Sequence, residues 1–300
     1  MPRSEPAEIA IGTDADRFPR ALRHIHDPPR WLHLRGALAG EPGALDAPAI
    51  AVVGARDATA YGLAMARSLG RALAESGLVV VSGLALGIDG AAHHGALEAG
   101  GRTVAVLGGG TDVVYPRQHA GLRSEILRQG VLVSEHPAGT APRPGQFPRR
   151  NRIVSGLSLG VVVVEATLRS GSLSTAAHAL EQGREVFAVP GPAGAPRSAG
   201  PHALLRRGAK LVESVDDVLA ELPAGIASPA DDGCRGESRL PPELGRVLAA
   251  LRSGLATADE LALHLDARIP EILENLVALE LRGVVVRGPG GRYVAVTHSR

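Results

Sequence analysis

Six short, β-branched runs separated by alanine- and leucine-rich stretches constrain this chain more than any other feature. They read IAVVGAR at 50–56, LVVVSGLA at 78–85, TVAVLGG at 103–109, VLVSE at 131–135, VVVVEA at 161–166 and EVFAVPG at 185–191. None alternates apolar with polar residues, so each strand must be covered on both faces. The segments between them carry leucine and alanine at helical spacing, as at Leu63, Leu69 and Leu73 and at Leu173, Ala177 and Leu180, which the periodicity assigns to the core. Strand and helix in alternation predict an α/β fold: an extended Rossmann-like, doubly wound and mostly parallel sheet.

The flanks divide the remainder. Residues 1–48 are rich in Pro and Gly around Trp31, Leu32 and Leu34 and predict an N-terminal arm packed on a main domain spanning 49–222. Residues 223–240 are polar, rich in Pro and Gly and without periodicity, which predicts a linker. From 241 to 300 come three helical patterns and two β runs around Gly-Pro-Gly-Gly, the order of a small winged-helix domain. Thr257 and Glu260 form a capping box at the start of its second helix.

Composition excludes several classes. The single cysteine, Cys234, rules out an internal disulfide and a cysteine-based zinc site. No uninterrupted apolar run approaches the roughly 18 residues of a membrane helix, and no secretory leader is visible, so the expected location is cytoplasmic, with no membrane partner. The net charge is +1, so any nucleic-acid binding must rest on a local patch.

That patch is PRPGQFPRRNR, where Arg143, Arg149, Arg150 and Arg152 place four positive charges among ten residues with no carboxylate. Phe147 and Asn151 lie between them, and the chain has only three phenylalanines. Read as a loop, this stretch offers arginines for phosphates and an aromatic face for an unpaired base; the competing reading is a core phenylalanine beneath salt-bridged arginines. Gly54 and Arg56 close the first strand where open α/β sheets bind ligands. Gly83 and Gly108 to Gly110 allow close backbone approach on the same rim. Ser170, Gly171 and Ser172 open a helix beside that rim and suit an anion.

Catalytic patterns are missing. The dinucleotide fingerprint G-x-G-x-x-G, the phosphate-loop lysine, H-E-x-x-H and G-x-S-x-G are all absent, so no cofactor, metal or catalytic residue is expected. Adjacent His93 and His94 point apart on a helix and are poorly placed to share an ion. Glu165, at a strand end beside the Gly-Ser turn, leaves open a nucleotide-binding or nucleotide-processing enzyme on the same scaffold. The winged helix leaves open a duplex-reading regulator, although residues 242–300 carry as many acidic groups as arginines.

The combination of SGLALGID, PRPGQFPRRNRI and EATLRSGSLSTA closely resembles the bacterial DNA processing protein A family, DprA or Smf, over roughly residues 18–222. The resemblance implies a non-enzymatic, dimeric protein that binds single-stranded DNA and helps load the RecA recombinase, protecting incoming DNA during natural transformation. By position it implies a DNA site made of Arg56, Phe147, Arg149, Arg150, Asn151, Arg152, Ser170, Gly171, Ser172 and Lys210, the chain's one lysine. The chain departs from the family pattern at Ala55, Leu86, Ala195 and His202.

Overall fold

Where the apolar runs form strands their side chains are buried on both faces of the sheet, Glu185 excepted, with odd and even residues in different layers. The computed structural model describes residues 6–223, 226, 242–252, 256–281, 285–287 and 292–295. Cys234, most of the linker and the Gly-Pro-Gly-Gly turn lie outside them. By its internal contacts the chain divides into two units, 1–230 and 231–300.

The first unit opens with β1 (Ile9–Gly12), α1 (Arg20–Arg23) and β2 (Trp31–Arg35). Then come β3 (Ala49–Val53), α2 (Ala60–Glu75), β4 (Val79–Ser82), α3 (Ile88–Glu98), β5 (Thr103–Leu107), α4 (Ala120–Gln129), β6 (Val131–Ser134) and α5 (Gln146–Gly156). It closes with β7 (Gly160–Val163), α6 (Ser172–Glu181), β8 (Glu185–Ala188), α7 (Ala199–Leu205), β9 (Lys210–Leu211) and α8 (Val215–Leu219). One nine-stranded sheet runs β1-β2-β6-β5-β4-β3-β7-β8-β9. All pairings from β6 to β9 are parallel, whereas β2 pairs antiparallel with both β1 and β6. The segment expected as an arm is therefore woven into the sheet edge: its Leu32 and Leu34 alternate inward with period two, and backbone pairing to β6 satisfies the edge.

The two faces separate by residue parity. Ala51, Val53, Val79, Val81, Val161 and Val163 meet Ile153, Val154 and Leu157 of α5 and Ala176 and Ala179 of α6. Ile50, Val52, Val80, Val162 and Val164 meet Ala66, Leu69 and Leu73 of α2 and Ile88, Ala92 and Ala96 of α3. Two expected core leucines face outward: Leu63 is exposed, and Leu180 is 62% exposed. On α6 the buried face is Ser172, Thr175, Ala176 and Ala179, with Ala177 exposed and Leu173 half-buried. Small residues let α6 approach the sheet and α5 closely, so its larger apolar side chains are pushed to the flank.

The second unit contains α9 (Pro242–Arg252), α10 (Ala258–Leu265), α11 (Ile269–Leu281) and an antiparallel pair, β10 (Val285–Arg287) with β11 (Tyr293–Ala295). The Thr257–Glu260 capping box is formed. A core of Leu244, Val247, Leu248, Leu251, Leu261, Ile272, Leu276 and Leu279 holds the helices together. Among the described residues no helix is long and apolar enough to cross a membrane, and no group of His, Cys, Asp and Glu is arranged to hold a metal ion.

His93 gives the fold a pH signature. Thr103 Oγ1 donates to the Val80 carbonyl at 2.7 Å, so it accepts from His93 Nδ1 at 2.6 Å, and the ring is a neutral Nδ1–H tautomer. Burial, with lesser contributions from the charges of His119, His94 and Arg150, lowers its pKa from 6.5 to about 3. The unfolded chain binds a proton below pH 6.5 that the folded chain refuses. The shift thus has no effect on stability above that pH, and stability falls between about 6.5 and 3 by up to about 1.4 kcal/mol per unit. Urea midpoints measured from pH 7 to 4.5 should decline with a shallower slope in His93→Asn, whose amide can replace the Nδ1 donor; equal slopes would assign the acid sensitivity elsewhere.

Candidate nucleic-acid interface

The order of the sheet decides where a ligand can sit. From β3 the chain winds outward through β4, β5 and β6, then returns to the other side of β3 for β7, β8 and β9. The turns after β3 and β7 diverge at this switch point and leave a crevice at the strands' carboxyl ends. A cavity of about 410 Å³ occupies it, lined by Gly54, Arg56, Gly83, Tyr115, Phe147, Arg150, Asn151, Ser170, Gly171 and Ser172. A smaller apolar recess of about 60 Å³ shares Arg56, Tyr115, Phe147 and Arg150 and extends to Leu84, Leu86, Leu107 and Gly108.

The arginine-rich stretch is a helix and not the expected loop. Gln146 to Gly156 form α5, which begins after Gly145 and buries Arg150 to Gly156 against the sheet. A helix sends successive residues about 100° apart, so Arg149, Arg150 and Arg152 separate, and Arg143 precedes the helix. Phe147 lies half-buried over Gly108, where an added Cβ would stand 2.9 Å from the ring, so glycine is what lets the aromatic settle there. The Arg56 guanidinium lies 5.4 Å from the Phe147 centroid, within cation–π range. Tyr115, half-exposed, is tilted 35° against the same ring at 5.5 Å.

Arg150 lies beneath this aromatic group, donating from Nη1 to the Gly83 carbonyl at 2.8 Å and to the Val106 carbonyl. Its buried Nε has no hydrogen-bond partner among the described residues. Below it Asp89 accepts from the backbone N–H of Gly83 at 3.1 Å and of Ala85 at 3.4 Å. Burial raises the Asp89 carboxyl, an effect opposed by the Arg150 charge and by backbone donors that include Gly54. Burial likewise lowers Arg150, and Asp89 opposes that. Gly87, at φ +78°, closes the turn into α3; a Cβ there would stand 2.2 Å from the Ala55 carbonyl.

Asn151 spans from α5 to α6, donating from Nδ2 to the Gly171 carbonyl at 3.1 Å and to Ser174 Oγ at 2.7 Å. It thereby holds the first turn of α6 open toward the cavity, where Ser170 and Ser172 exchange a 2.7 Å hydroxyl contact. The N–H groups of that turn are already engaged, Ser172 with Ser170 Oγ at 3.4 Å, Leu173 with the Ser170 carbonyl at 3.1 Å and Ser174 with the Gly171 carbonyl at 3.1 Å, so what the turn offers a ligand is its hydroxyls.

Three expected site residues are not among those lining the cavity. Arg152 is buried, chelating Glu135 at 2.7 and 3.0 Å and reaching the Asp27 carbonyl at 2.8 Å; it ties the N-terminal segment to α5 and β6. Arg149 is exposed and lies 3.5 Å from Glu135. Lys210 is on β9, exposed and paired with Glu221 at 3.0 Å. Glu165 is committed too: its carboxylate accepts from Thr59 N at 2.9 Å and Thr59 Oγ1 at 2.5 Å, anchoring the start of α2. Its oxygens are engaged there, which counts against the nucleotide-processing alternative. Of the residues departing from the family pattern, Ala55 donates its N–H to the Glu165 carbonyl at 2.7 Å, Leu86 lines the apolar recess and His202 Nε2 lies 3.0 Å from the Gly191 carbonyl.

The sequence reading missed Tyr115 and Asp89. Tyr115 could have been found as one of only three tyrosines, placed just after the third strand's glycines. Asp89 carried the weaker signal of a carboxylate in the first turn of a helix that starts just after the second strand's Ser-Gly turn.

An open α/β sheet with a basic, aromatic cleft at its switch point is the class of protein described so far. The family model for DNA recombination-mediator protein A matches residues 10–223, and the DprA winged helix domain model matches 234–291. Protein Smf of Escherichia coli K12 is 43% identical over 96% of this chain and 77% of its own length. The X-ray structure of DNA processing protein A from Streptococcus pneumoniae is 44% identical, covering 72% of this chain and 74% of that one, with a TM-score of 0.68. A structure from Helicobacter pylori concerned with that protein's single-stranded DNA binding mode is 31% identical over 71% of this chain and 94% of its own, with a TM-score of 0.63. The chain belongs to the DNA recombination-mediator protein A (DprA/Smf) family, with a Rossmann-like sheet and a C-terminal winged helix domain.

Removing the Asp89 carboxylate leaves the N–H groups of Gly83 and Ala85 without their acceptor, a loss of about 1–3 kcal/mol. Asp89→Ala should cost that much in denaturant titrations, and exposed Arg149→Ala less than about 0.5 kcal/mol. Similar losses for the two would show that Asp89 does not anchor the cleft floor.

Proposed function

We propose that this chain binds single-stranded DNA in the cleft at the β3–β7 switch point, and that it is a recombination mediator that protects incoming strands and helps load RecA during natural transformation. The observation that carries the reading is Phe147: an aromatic ring set on a glycine, half-exposed, flanked by Arg56 and Tyr115 at the mouth of a basic cavity. A ring so placed suits the flat face of an unpaired base. Duplex bases are stacked on each other and cannot offer that face.

Phosphates have several partners nearby. Arg56, Arg143, Arg149 and Arg169 are exposed, and the first turn of α6 supplies the hydroxyls of Ser170 and Ser172. Asn151 and Arg152 serve by holding α6 and α5 in place, and Lys210 serves the outer strand. The RecA step and the dimer are supported by the family relationship. The dimer has a further support: exposed Leu211 on the outermost strand, near an apolar groove of about 270 Å³ that includes Leu168, Leu180 and Leu204.

Fluorescence anisotropy of a labelled dT oligonucleotide against a duplex of equal length, over a salt series, tests this reading. The single strand should bind more tightly and weaken steeply with salt. Phe147→Ala should lose about 1–3 kcal/mol at every salt concentration. Arg149→Ala should flatten the salt slope instead. Equal affinity for both DNA forms, or a folded Phe147→Ala variant that binds normally, would refute the stacking site. RecA nucleation on dT, followed by its ATP hydrolysis, should accelerate with the wild type and not with Phe147→Ala; acceleration that ignores Phe147 would detach loading from the cleft.

A further inference from the structure

The winged helix domain carries an apolar stripe that its own fold does not use. Helix α11 buries Ile272, Leu276 and Leu279 in the domain core. Ile269, Leu273 and Val277, spaced four residues apart, form a second line roughly a quarter-turn round the helix. They are 44%, 40% and 50% exposed. A surface helix normally gives such positions to polar residues, and an aligned apolar row marks a contact face.

Its border states what it can meet. Glu280 ends the stripe and Glu274 flanks it, both exposed and neither ion-paired within the described residues. The neighbouring arginine, Arg268, is engaged by Glu271. In a winged helix this third helix is the usual groove reader, yet here carboxylates and leucine would face phosphates. A second copy of the helix would set carboxylates against carboxylates, and Arg268, the arginine beside the helix among the described residues, is already occupied. We propose that α11 is a protein-docking face whose partner presents an apolar ridge flanked by arginine or lysine, such as a basic amphipathic helix. This inference is independent of the DNA cleft.

The test uses the full chain and a fluorescein-labelled designed helix with leucines along one side and arginines on both flanks. Its controls are a scrambled peptide of the same composition and a version with glutamate in place of arginine. The leucine–arginine helix should bind at least about tenfold more tightly than either control. Leu273→Ser, at an exposed position outside the core, should reduce binding about tenfold, and Glu274→Lys with Glu280→Lys should shift the preference to the leucine–glutamate helix. Binding that ignores both variants would overturn the proposal. So would a Leu273→Ser variant whose main change is in sedimentation, which would assign the face to self-association, or one that loses affinity for duplex DNA, which would make it a groove reader.

Discussion

The cleft rests on two charges that the protein takes out of water. Arg150 and Asp89 are both buried, and each pays a desolvation penalty visible in the opposite directions of their titration shifts. The pair makes this tolerable by distributing its hydrogen bonds over backbone. The guanidinium holds the ends of β4 and β5 through Gly83 and Val106, while the carboxylate holds the N–H groups of Gly83 and Ala85. Strand ends, the start of α3 and the start of α5 are thereby fixed relative to one another. Phe147, three residues before Arg150 on α5, inherits its position from that lock. A pair of well-packed apolar residues could stabilise as much, but could not hold carbonyl and N–H groups of separate turns at once.

Much of the fold was legible because a parallel sheet has an unusually plain sequence form. All six expected runs contain strands, since continuous β-branched segments have few alternatives once covered on both sides. The edge was harder to read. Leu32 and Leu34 alternate with polar neighbours over only a few residues between prolines, and nothing local says that β2 will find β6 about a hundred residues away. Helix faces failed by register. On α6 the leucines gave the stronger periodic signal, but alanine, serine and threonine made the closer approach, because the space between α5 and the sheet favours small side chains.

The site was half legible for a related reason. Charge density along a chain does not say which charges reach solvent, and a helix turns neighbours in different directions. Arg149 faces out, Arg150 enters the cleft floor and Arg152 turns to Glu135 and Asp27. The competing reading of salt-bridged arginines was right for Arg152, and the binding reading suits Arg56 and Phe147. Tyr115 escaped notice because its partner ring is 32 positions away in the sequence, and only the folded turns after β5 and β6 bring the two together.

This division of labour constrains how affinity can arise. With a net charge of +1 and two of the four clustered arginines buried in structural contacts, counterion release at the cleft would fall to the exposed Arg56, Arg143, Arg149 and Arg169. A strand held only by phosphates would bind weakly at such a site. Stacking on Phe147 and Tyr115 would not depend on counterions, and the Phe147 ring, already seated over Gly108, would lose little side-chain entropy on binding. Stacking accepts any base, because every base has a flat face. On the proposed reading, a cleft built on those terms would favour unpaired strands over duplexes because only an unpaired base offers its face to a ring, and it would read no sequence.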